Sequence, residues 1–211
     1  GKWSSYGCSC ALTESGKRQI RQALSPAKSQ RPKQERSWIY KDDNDFELIK
    51  VNRIDSGDGK RKFWQESLID REPPRELSKR VKPYKYKEAI RALAEGHEYV
   101  FWVEGESCVD AMWRINLPAI TTLGGSKFKP ERDSNLFPAE KVVVVPDLDQ
   151  VGIKHAKNIE HHYQGCKVLH PFPDHHQWQN PPKDGGIDIA DWIGSGASET
   201  DIYKAVSYTH L

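Results

Sequence analysis

Acidic residues follow two apolar segments of this chain, at the points where buried strands are expected to end. The segment EYVFWV is followed by Glu104 and Gly105, and the segment KVVVVP is followed by Asp147, Leu148 and Asp149. Carboxylates that share one location repel one another unless a cation neutralises them. Because hard oxygen ligands select Mg²⁺ or Mn²⁺ rather than zinc, the pattern predicts Mg²⁺ or Mn²⁺ as a cofactor held by Glu104, Asp147 and Asp149.

Two further acids and two glycines belong to the same predicted site. Asp188 and Asp191 lie in GGIDIADWI at the start of a predicted short helix, where a spacing of three residues places both on one face. We predict them as additional metal ligands. Gly105 and Gly152 are predicted to let backbone or substrate approach the acids closely. An Asp-x-Asp pair alone is weak evidence, because aspartate also favours turns and helix caps.

The segments that would position these acids alternate between apolar runs and amphipathic stretches from residue 97 onward. The apolar runs are EYVFWV, PAITTL, KVVVV and CKVLHPF. This order is typical of an α/β fold in which helices cover both faces of a parallel sheet. In such sheets the carboxyl ends of the strands converge on one edge, where ligands bind. The predicted fold class is therefore α/β, with the acids at that edge.

The part of the chain that precedes this segment is basic and rich in predicted strands. Residues 1–96 contain 22 Lys and Arg and 14 Asp and Glu, for a net charge of +8, whereas residues 97–211 carry −6. Apolar and polar residues alternate in SWIYKDD and FELIKVNRI, and RKFWQESL follows the turn-rich DSGDGK. We therefore predict a small basic β-rich subdomain over residues 36–95, which also contains a helix over residues 84–95.

Basic and aromatic residues occur together at the end of the predicted hairpin. Lys60, Arg61 and Lys62 are followed directly by two aromatic residues, and Arg53 lies on the preceding strand. Basic side chains beside aromatic ones suit contact with phosphates and stacked bases. We predict these four residues as nucleic-acid contacts, with a solvated hairpin over core aromatics as the alternative.

The outer segments give fewer indications. Residues 1–35 are predicted to be a linker, in which Cys8 and Cys10 form at most half a zinc site and would need further ligands upstream of Gly1. A start without methionine indicates a fragment, and residues 206–211 look like a non-native tail. No apolar run is long enough to span a membrane. Few cysteines, with no disulfide framework, favour a cytoplasmic location.

Four ordered motifs of this sequence resemble the Toprim family, in the form found in phage and plasmid DNA primases and primase-helicases. The motifs are VEGESCVDAM, LPAITTLGGS, VVVVPDLDQVGIKHA and GGIDIADWI. The resemblance covers residues 97–195 and implies a Toprim domain over residues 96–205. The segment from residue 37 to 68 looks, more loosely, like the strand-rich part that precedes Toprim in such proteins.

The resemblance also implies roles for the acids. Glu104 matches the family's glutamate, which acts as acid, base or metal ligand. Asp147 and Asp149 match the pair that binds divalent ions. Asp188 matches the third acidic element, with Asp191 beside it.

The activity that this resemblance implies is RNA primer synthesis on single-stranded DNA during phage or plasmid replication. The implied partners are a single-stranded DNA template, nucleoside triphosphates and a replicative helicase in cis or in trans, with no membrane partner. Two alternatives remain open: a Toprim nuclease of the overcoming-lysogenization-defect type, and a non-catalytic DNA-binding recombination mediator. The nuclease class requires an ATPase domain, and this chain contains no Gly-x-x-x-x-Gly-Lys-Ser/Thr motif.

Overall fold

The structure is a computed structural model that describes residues 34–56 and 60–208. The linker prediction for residues 1–35, the zinc prediction at Cys8 and Cys10, and the Asp-Gly turn of the hairpin lie almost wholly outside the described residues. The chain divides into two compact units. The smaller contains residues 1–35 and 53–62, and the larger contains residues 36–52 and 63–211.

A three-stranded antiparallel sheet forms the first part of the described chain. Its strands are β1 (Gln34–Lys41), β2 (Glu47–Asp55) and β3 (Arg61–Ser67), in the order β1-β2-β3. In β1, Trp38 and Tyr40 are buried while Ser37 and Ile39 are exposed, which is the period of two that a half-buried strand requires. The predicted strand-rich subdomain is thus confirmed as a β-sheet.

A four-stranded parallel sheet forms the centre of the larger unit. Its strands are β4 (Val100–Trp102), β5 (Ala119–Ile120), β6 (Val142–Val144) and β7 (Lys167–Val168), in the order β5-β4-β6-β7. β4 and β6 are neighbours, with Val100 opposite Val142 and Trp102 opposite Val144. Both strands are buried on both faces, which explains their unbroken apolar sequences.

Seven helices accompany these strands in the described residues. They are α1 (Pro74–Leu77), α2 (Tyr86–Ala94), α3 (Glu106–Arg114), α4 (Pro130–Asp133), α5 (Gln150–His162), α6 (Ile189–Gly194) and α7 (Glu199–Tyr208). α3, α6 and α7 contribute to a core cluster with Phe101 and Val143. α2 and α5 contribute to a second cluster with Trp102 and Val144. Because neighbouring strand residues belong to different clusters, helices cover both faces of the sheet, as the sequence predicts.

The last helix continues past residue 206, where the sequence predicts the start of a non-native tail, and the origin of residues 206–211 stays a prediction. α7 extends to Tyr208, and Val206 is only 1% exposed within the core that contains Phe101 and Ile202. Sequence composition alone cannot reveal this burial, since it depends on packing against a strand a hundred residues earlier. In residues 34–56 and 60–208, no helix is both long and apolar enough to cross a membrane.

Candidate active site

Glu104 and Asp147 meet at the carboxyl ends of two neighbouring strands. Glu104 lies two residues beyond Trp102 of β4, and Asp147 lies three residues beyond Val144 of β6, which pair in register. The backbone N–H of Asp147 donates a hydrogen bond of 3.3 Å to Oε1 of Glu104. The shared edge that the sequence predicts for these two acids therefore exists.

Gly152 keeps these two residues close to α5. A Cβ at this position would lie 2.5 Å from Oε1 of Glu104 and 2.8 Å from the backbone nitrogen of Asp147, and would overlap the carbonyl oxygen of Asp147. The close approach predicted for Gly152 is confirmed for protein atoms. At Gly105, an added Cβ would meet no protein atom within 4 Å. The close approach of a substrate at Gly105 stays a prediction.

The acids of this site affect one another electrostatically. Burial, together with the negative charges of Glu104 and Asp188, raises the pKa of Asp147 to about 9. Burial likewise raises the pKa of Glu104 to about 7, against the lowering effect of the Asp147 backbone hydrogen bond. A carboxylate that lies near other carboxylates and away from water resists ionisation until a cation compensates it.

Asp149 is held by the backbone rather than directed toward open space. Its Oδ1 accepts a hydrogen bond of 2.8 Å from the N–H of Gly152, which makes Asp149 the N-cap of α5. Its Oδ2 accepts a hydrogen bond of 2.9 Å from the N–H of Gly186, and Asp149 is only 6% exposed. Both oxygens thus already stabilise the local backbone, and metal binding by Asp149 stays a prediction.

The segment before α6 brings Asp188 to the same edge of the sheet. The backbone N–H of Leu148 donates a hydrogen bond of 2.9 Å to the carbonyl of Ile187. Because Leu148 follows Asp147 and Ile187 precedes Asp188, this bond brings the two acids to the same edge. Gly186 permits this contact, because a Cβ there would overlap the carbonyl of Leu148 and lie 2.9 Å from the backbone nitrogen of Asp149.

Asp188 and Asp191 form a capping box at the start of α6, the short helix that the sequence predicts. Asp188 is the N-cap and accepts a hydrogen bond of 2.9 Å from the N–H of Asp191, and Asp191 accepts one of 3.1 Å from the N–H of Asp188. The spacing of three residues therefore also serves helix capping. The role of the two acids as metal ligands stays a prediction.

Cys108 is a neighbour of the site that the sequence does not reveal. It lies on α3, is 4% exposed, and its thiol forms a hydrogen bond with the side chain of Asp188. Burial raises the pKa of this thiol, and the charges of Asp188 and Asp147 raise it further. Cys108 is therefore a protonated thiol that contacts Asp188.

The donor set at this edge suits a hard divalent ion. No three His, Cys, Asp or Glu side chains converge into a ready-made ligand set within residues 34–56 and 60–208. Mg²⁺ does not require one, since it binds through one or two carboxylates and completes its shell with waters and phosphate oxygens. Glu104 and Asp147 provide such a pair, and burial together with the neighbouring acids raises the pKa of both.

A cavity of about 600 Å³ opens beside Glu104 within the larger unit. Its lining includes Glu104, Gly105, the Gly124-Gly125 turn after β5, and Lys127. Gly125 has a φ of 64°, and a Cβ there would lie 2.7 Å from the carbonyl oxygen of Glu104. The sequence predicts that a strand stops at these glycines, but gives no sign that the turn packs against Glu104.

Asp110 has a structural partner on each side. Its Oδ2 accepts a hydrogen bond of 2.7 Å from the indole N–H of Trp38, and its Oδ1 accepts one of 3.0 Å from the hydroxyl of Tyr84. Asp110 lies on α3. The hydroxyl of Tyr40, two residues after Trp38 in β1, donates a hydrogen bond of 2.9 Å to Glu106 of the same helix. These bonds fix the helix that follows Glu104 to the strand-rich part of the larger unit.

The four predicted nucleic-acid contacts all lie in the smaller unit. Arg53 pairs with Asp55 through a contact of 2.8 Å, and Arg61 lies 3.8 Å from the same carboxylate with 65% of its side chain exposed. Lys60 and Lys62 are also exposed. Their role in binding nucleic acid stays a prediction.

The fold is similar to that of bacterial primases. A DNA primase domain from Pseudomonas aeruginosa matches with a TM-score of 0.52 and 17% identity, over 82% of this chain and 50% of that one. The E. coli primase catalytic core matches with a TM-score of 0.50 and 14% identity, over 82% of this chain and 51% of that one.

No protein-family profile and no curated protein sequence matches the chain. The structural likeness is therefore one of fold, at identities too low to carry residue roles between the proteins. This chain has a fold similar to that of these two primase domains and spans about half the length of each.

Proposed function

We propose that this chain is part of a DNA primase that synthesises RNA primers on single-stranded DNA, in phage or plasmid replication in the cytoplasm. The observation that carries the proposal is the contact of Glu104 with Asp147 at adjacent strand ends, in a fold shared with primase catalytic cores. Coupled carboxylates in that position suit a reaction in which negatively charged phosphates must be held next to a protein surface.

The proposed metal ligands are Glu104, Asp147 and Asp149, with Asp188 and Asp191 as further acids at the same edge. A bound Mg²⁺ or Mn²⁺ would neutralise phosphate charge and favour displacement at the α-phosphorus of a nucleoside triphosphate. Asp149 would take part through lone pairs not used by the N–H groups of Gly152 and Gly186. Clustered acids that destabilise one another when ionised favour the binding of such a cation.

Glu104 is proposed to hold or deprotonate the hydroxyl that attacks the incoming nucleotide. Its pKa of about 7 applies to the metal-free protein, and a cation bound beside it would lower that pKa and favour the carboxylate form, which can accept a proton. The Gly125 turn and Gly152 pack against Glu104 from two sides, so its position is fixed before substrate binds.

The template is proposed to bind through Arg53, Lys60, Arg61 and Lys62. These side chains would contact phosphates of single-stranded DNA, and their contribution would fall as salt increases. A replicative helicase, in cis or in trans, is proposed as a further partner. Residues 1–35 are proposed to link this part to a preceding module, with zinc at Cys8 and Cys10 if that module supplies the other ligands.

Template-directed primer synthesis tests the proposal. The purified full-length protein is incubated with single-stranded DNA, the four ribonucleotides and Mg²⁺ or Mn²⁺, and labelled products are resolved by length. The wild-type protein should make short RNA products whose sequence complements the template. Asp147→Asn should abolish them, whereas Asp174→Asn, which changes an exposed loop carboxylate in the same way, should leave them unchanged.

The same reaction separates the alternatives. A nuclease would shorten the labelled DNA in a manner that Asp147→Asn abolishes, without making RNA. A non-catalytic recombination mediator would bind the DNA and leave both strands intact. Either pattern from the full-length protein would overturn the primase proposal.

A further inference from the structure

The hydroxyl of Tyr40 lies between two segments that flank Glu104. It donates a hydrogen bond of 2.9 Å to Oε1 of Glu106, the first residue of α3. It also lies 3.3 Å from the carbonyl oxygen of Thr122, in the turn that follows β5. Because Gly105 alone separates Glu106 from Glu104, a single side chain of β1 contacts the start of α3 directly beside this acid.

Thr122 extends this contact to the backbone of Glu104. Its carbonyl oxygen accepts a hydrogen bond of 3.0 Å from the N–H of Gly125, and its hydroxyl donates one of 2.5 Å to the carbonyl oxygen of Gly125. Gly125 in turn packs so closely on Glu104 that an added Cβ would lie 2.7 Å from the carbonyl oxygen of that acid. The side chain that bonds to the start of α3 therefore also holds the turn that packs on Glu104.

These hydrogen bonds lie in the protein interior. Tyr40 and Thr122 are fully buried, and Glu106 is 8% exposed. Burial, together with the negative charge of Glu106, raises the pKa of Tyr40 well above its ordinary value, so the hydroxyl keeps the proton that it donates. Because water does not readily replace a lost donor in such a place, the bonds restrict the positions of both partners.

We infer that Tyr40 is a positioning residue for Glu104, because its hydroxyl joins the start of α3 to the turn after β5 and so keeps Glu104 against Asp147. The inference rests on the proposed function, in which Glu104 takes part in the reaction. Tyr40 would act through Glu106 and Thr122 rather than by contact with a substrate. None of the four Toprim motifs includes this residue, which belongs to the strand-rich part of the larger unit.

Two matched substitutions separate positioning from a general effect on stability. Tyr40→Phe removes the hydroxyl and keeps the ring. Tyr163→Phe does the same at a residue that is 3% exposed and lies at the opposite end of α5 from Asp149. The Tyr163 hydroxyl donates 2.8 Å to the carbonyl of Asp133 and accepts 3.0 Å from the N–H of Leu136. Both variants therefore lose a buried, hydrogen-bonded hydroxyl, and both should melt at a lower temperature than wild type.

Amide hydrogen exchange of the full chain in EDTA reports the position of Glu104 without requiring metal or catalysis. The N–H of Asp147 donates to Oε1 of Glu104, and the N–H of Gly125 donates to Thr122. Both amides are protected only while these groups keep their positions. Each rate is divided by that of the Leu169 amide, which bonds to the central sheet, so that a change in global stability cancels.

Tyr40→Phe should raise the relative exchange rates of the Asp147 and Gly125 amides by about tenfold or more, because the turn and the start of α3 lose their common partner. Tyr163→Phe should leave both relative rates within about twofold of wild type. Mn²⁺ affinity should show the same contrast. Binding should be roughly tenfold weaker in Tyr40→Phe, as expected when a residue that orients a metal ligand is lost, and equal to wild type in Tyr163→Phe.

Two results would overturn the inference. One is an equal relative exchange rate of the Asp147 amide in Tyr40→Phe and Tyr163→Phe. The other is an equal Mn²⁺ affinity in these two variants. A wild-type protein that binds Mn²⁺ but makes no primers is a different result, which overturns the proposed function and leaves the effect of Tyr40 on the acids in place.

Discussion

The backbone N–H of Asp147 lies 3.3 Å from Oε1 of Glu104, across the ends of two parallel strands. This contact depends on β4 and β6 being neighbours although 38 residues separate Val103 from Val142 in the chain. It also explains why the two carboxyl groups influence one another, since each is partly buried beside the other.

Asp147→Asn should stabilise the metal-free protein above neutral pH. The folded pKa of about 9 lies above the ordinary value of 3.8, so the folded protein retains a proton that the unfolded chain loses, and stability falls as pH rises toward 9. Asparagine does not ionise, so it removes this fall in the free energy of unfolding, which is on the order of 1 kcal/mol per pH unit. Thermal melts in EDTA at pH 7, 8 and 9 should show a widening advantage for the variant.

The pH range isolates Asp147 from its neighbours. At pH 8 and above, Glu104, with a raised pKa of about 7, is mostly ionised, and His155, whose pKa burial lowers to about 4, is mostly neutral in both the folded and the unfolded state. Asp174→Asn serves as the control and should show no such advantage. Parallel melting curves for Asp147→Asn and wild type from pH 7 to 9 would mean that Asp147 ionises without penalty.

Gly152→Ala should destabilise the protein and impair the site together. The added methyl group would overlap the backbone of Asp147 and lie 2.5 Å from Oε1 of Glu104. Because backbone cannot move aside as a flexible side chain can, we expect a loss of roughly 1–3 kcal/mol in the free energy of unfolding. Urea denaturation measures this loss.

Gly194→Ala is the matched control for that variant. It adds the same methyl group at the end of α6, where nothing lies within 4 Å of the new atom. Its stability should stay within about 0.5 kcal/mol of wild type. A Gly152→Ala protein as stable as this control would show that the contact with Asp147 is looser than the structure indicates.

Asp110→Ala should lower stability without weakening metal binding. The substitution removes the acceptor for both the Trp38 indole and the Tyr84 hydroxyl, at a cost of roughly 1–3 kcal/mol. Denaturation and Mn²⁺ titration, carried out on the same preparation, separate the two effects. Weakened Mn²⁺ binding in a stably folded Asp110→Ala protein would instead place this carboxylate in the metal site.

Replacing Lys60, Arg61 and Lys62 together by alanine should reduce the salt dependence of single-stranded DNA binding. Each phosphate contact contributes about 0.7 to the slope of log affinity against log salt, so the slope should fall by about 2. Fluorescence anisotropy with a labelled oligonucleotide at several salt concentrations measures it. Replacement of Lys154 and Lys157, two exposed lysines of α5, is the control. An unchanged slope in the triple variant would exclude these residues as phosphate contacts.

The sequence predicts the elements of this fold well because their signals are local. The apolar run at Val142–Val144 can only be a buried strand, and the alternation around Trp38 and Tyr40 indicates a half-buried one. These two inferences need only the periodicity of side chains along one element. The edge shared by Glu104 and Asp147 further requires that β4 and β6 be neighbours, which the structure shows.

The features that the sequence does not predict arise from contacts between distant segments. Trp38 bonds to Asp110 across 72 residues, and Gly186 bonds to Asp149 across 37. The Asp188–Asp191 spacing fits either a helix face or a capping box, and only the backbone conformation at Asp188, which is extended, decides between them. Tertiary packing, rather than local preference, determines each of these outcomes.

Binding of Mn²⁺, measured by electron paramagnetic resonance of the free ion, tests most directly whether the Glu104–Asp147 pair forms a divalent metal site. Wild type and Asp174→Asn should bind with the same affinity, and Asp147→Asn should bind at least about tenfold more weakly, because a carboxylate ligand is lost. Equal Mn²⁺ affinity in Asp147→Asn and wild type would contradict the account.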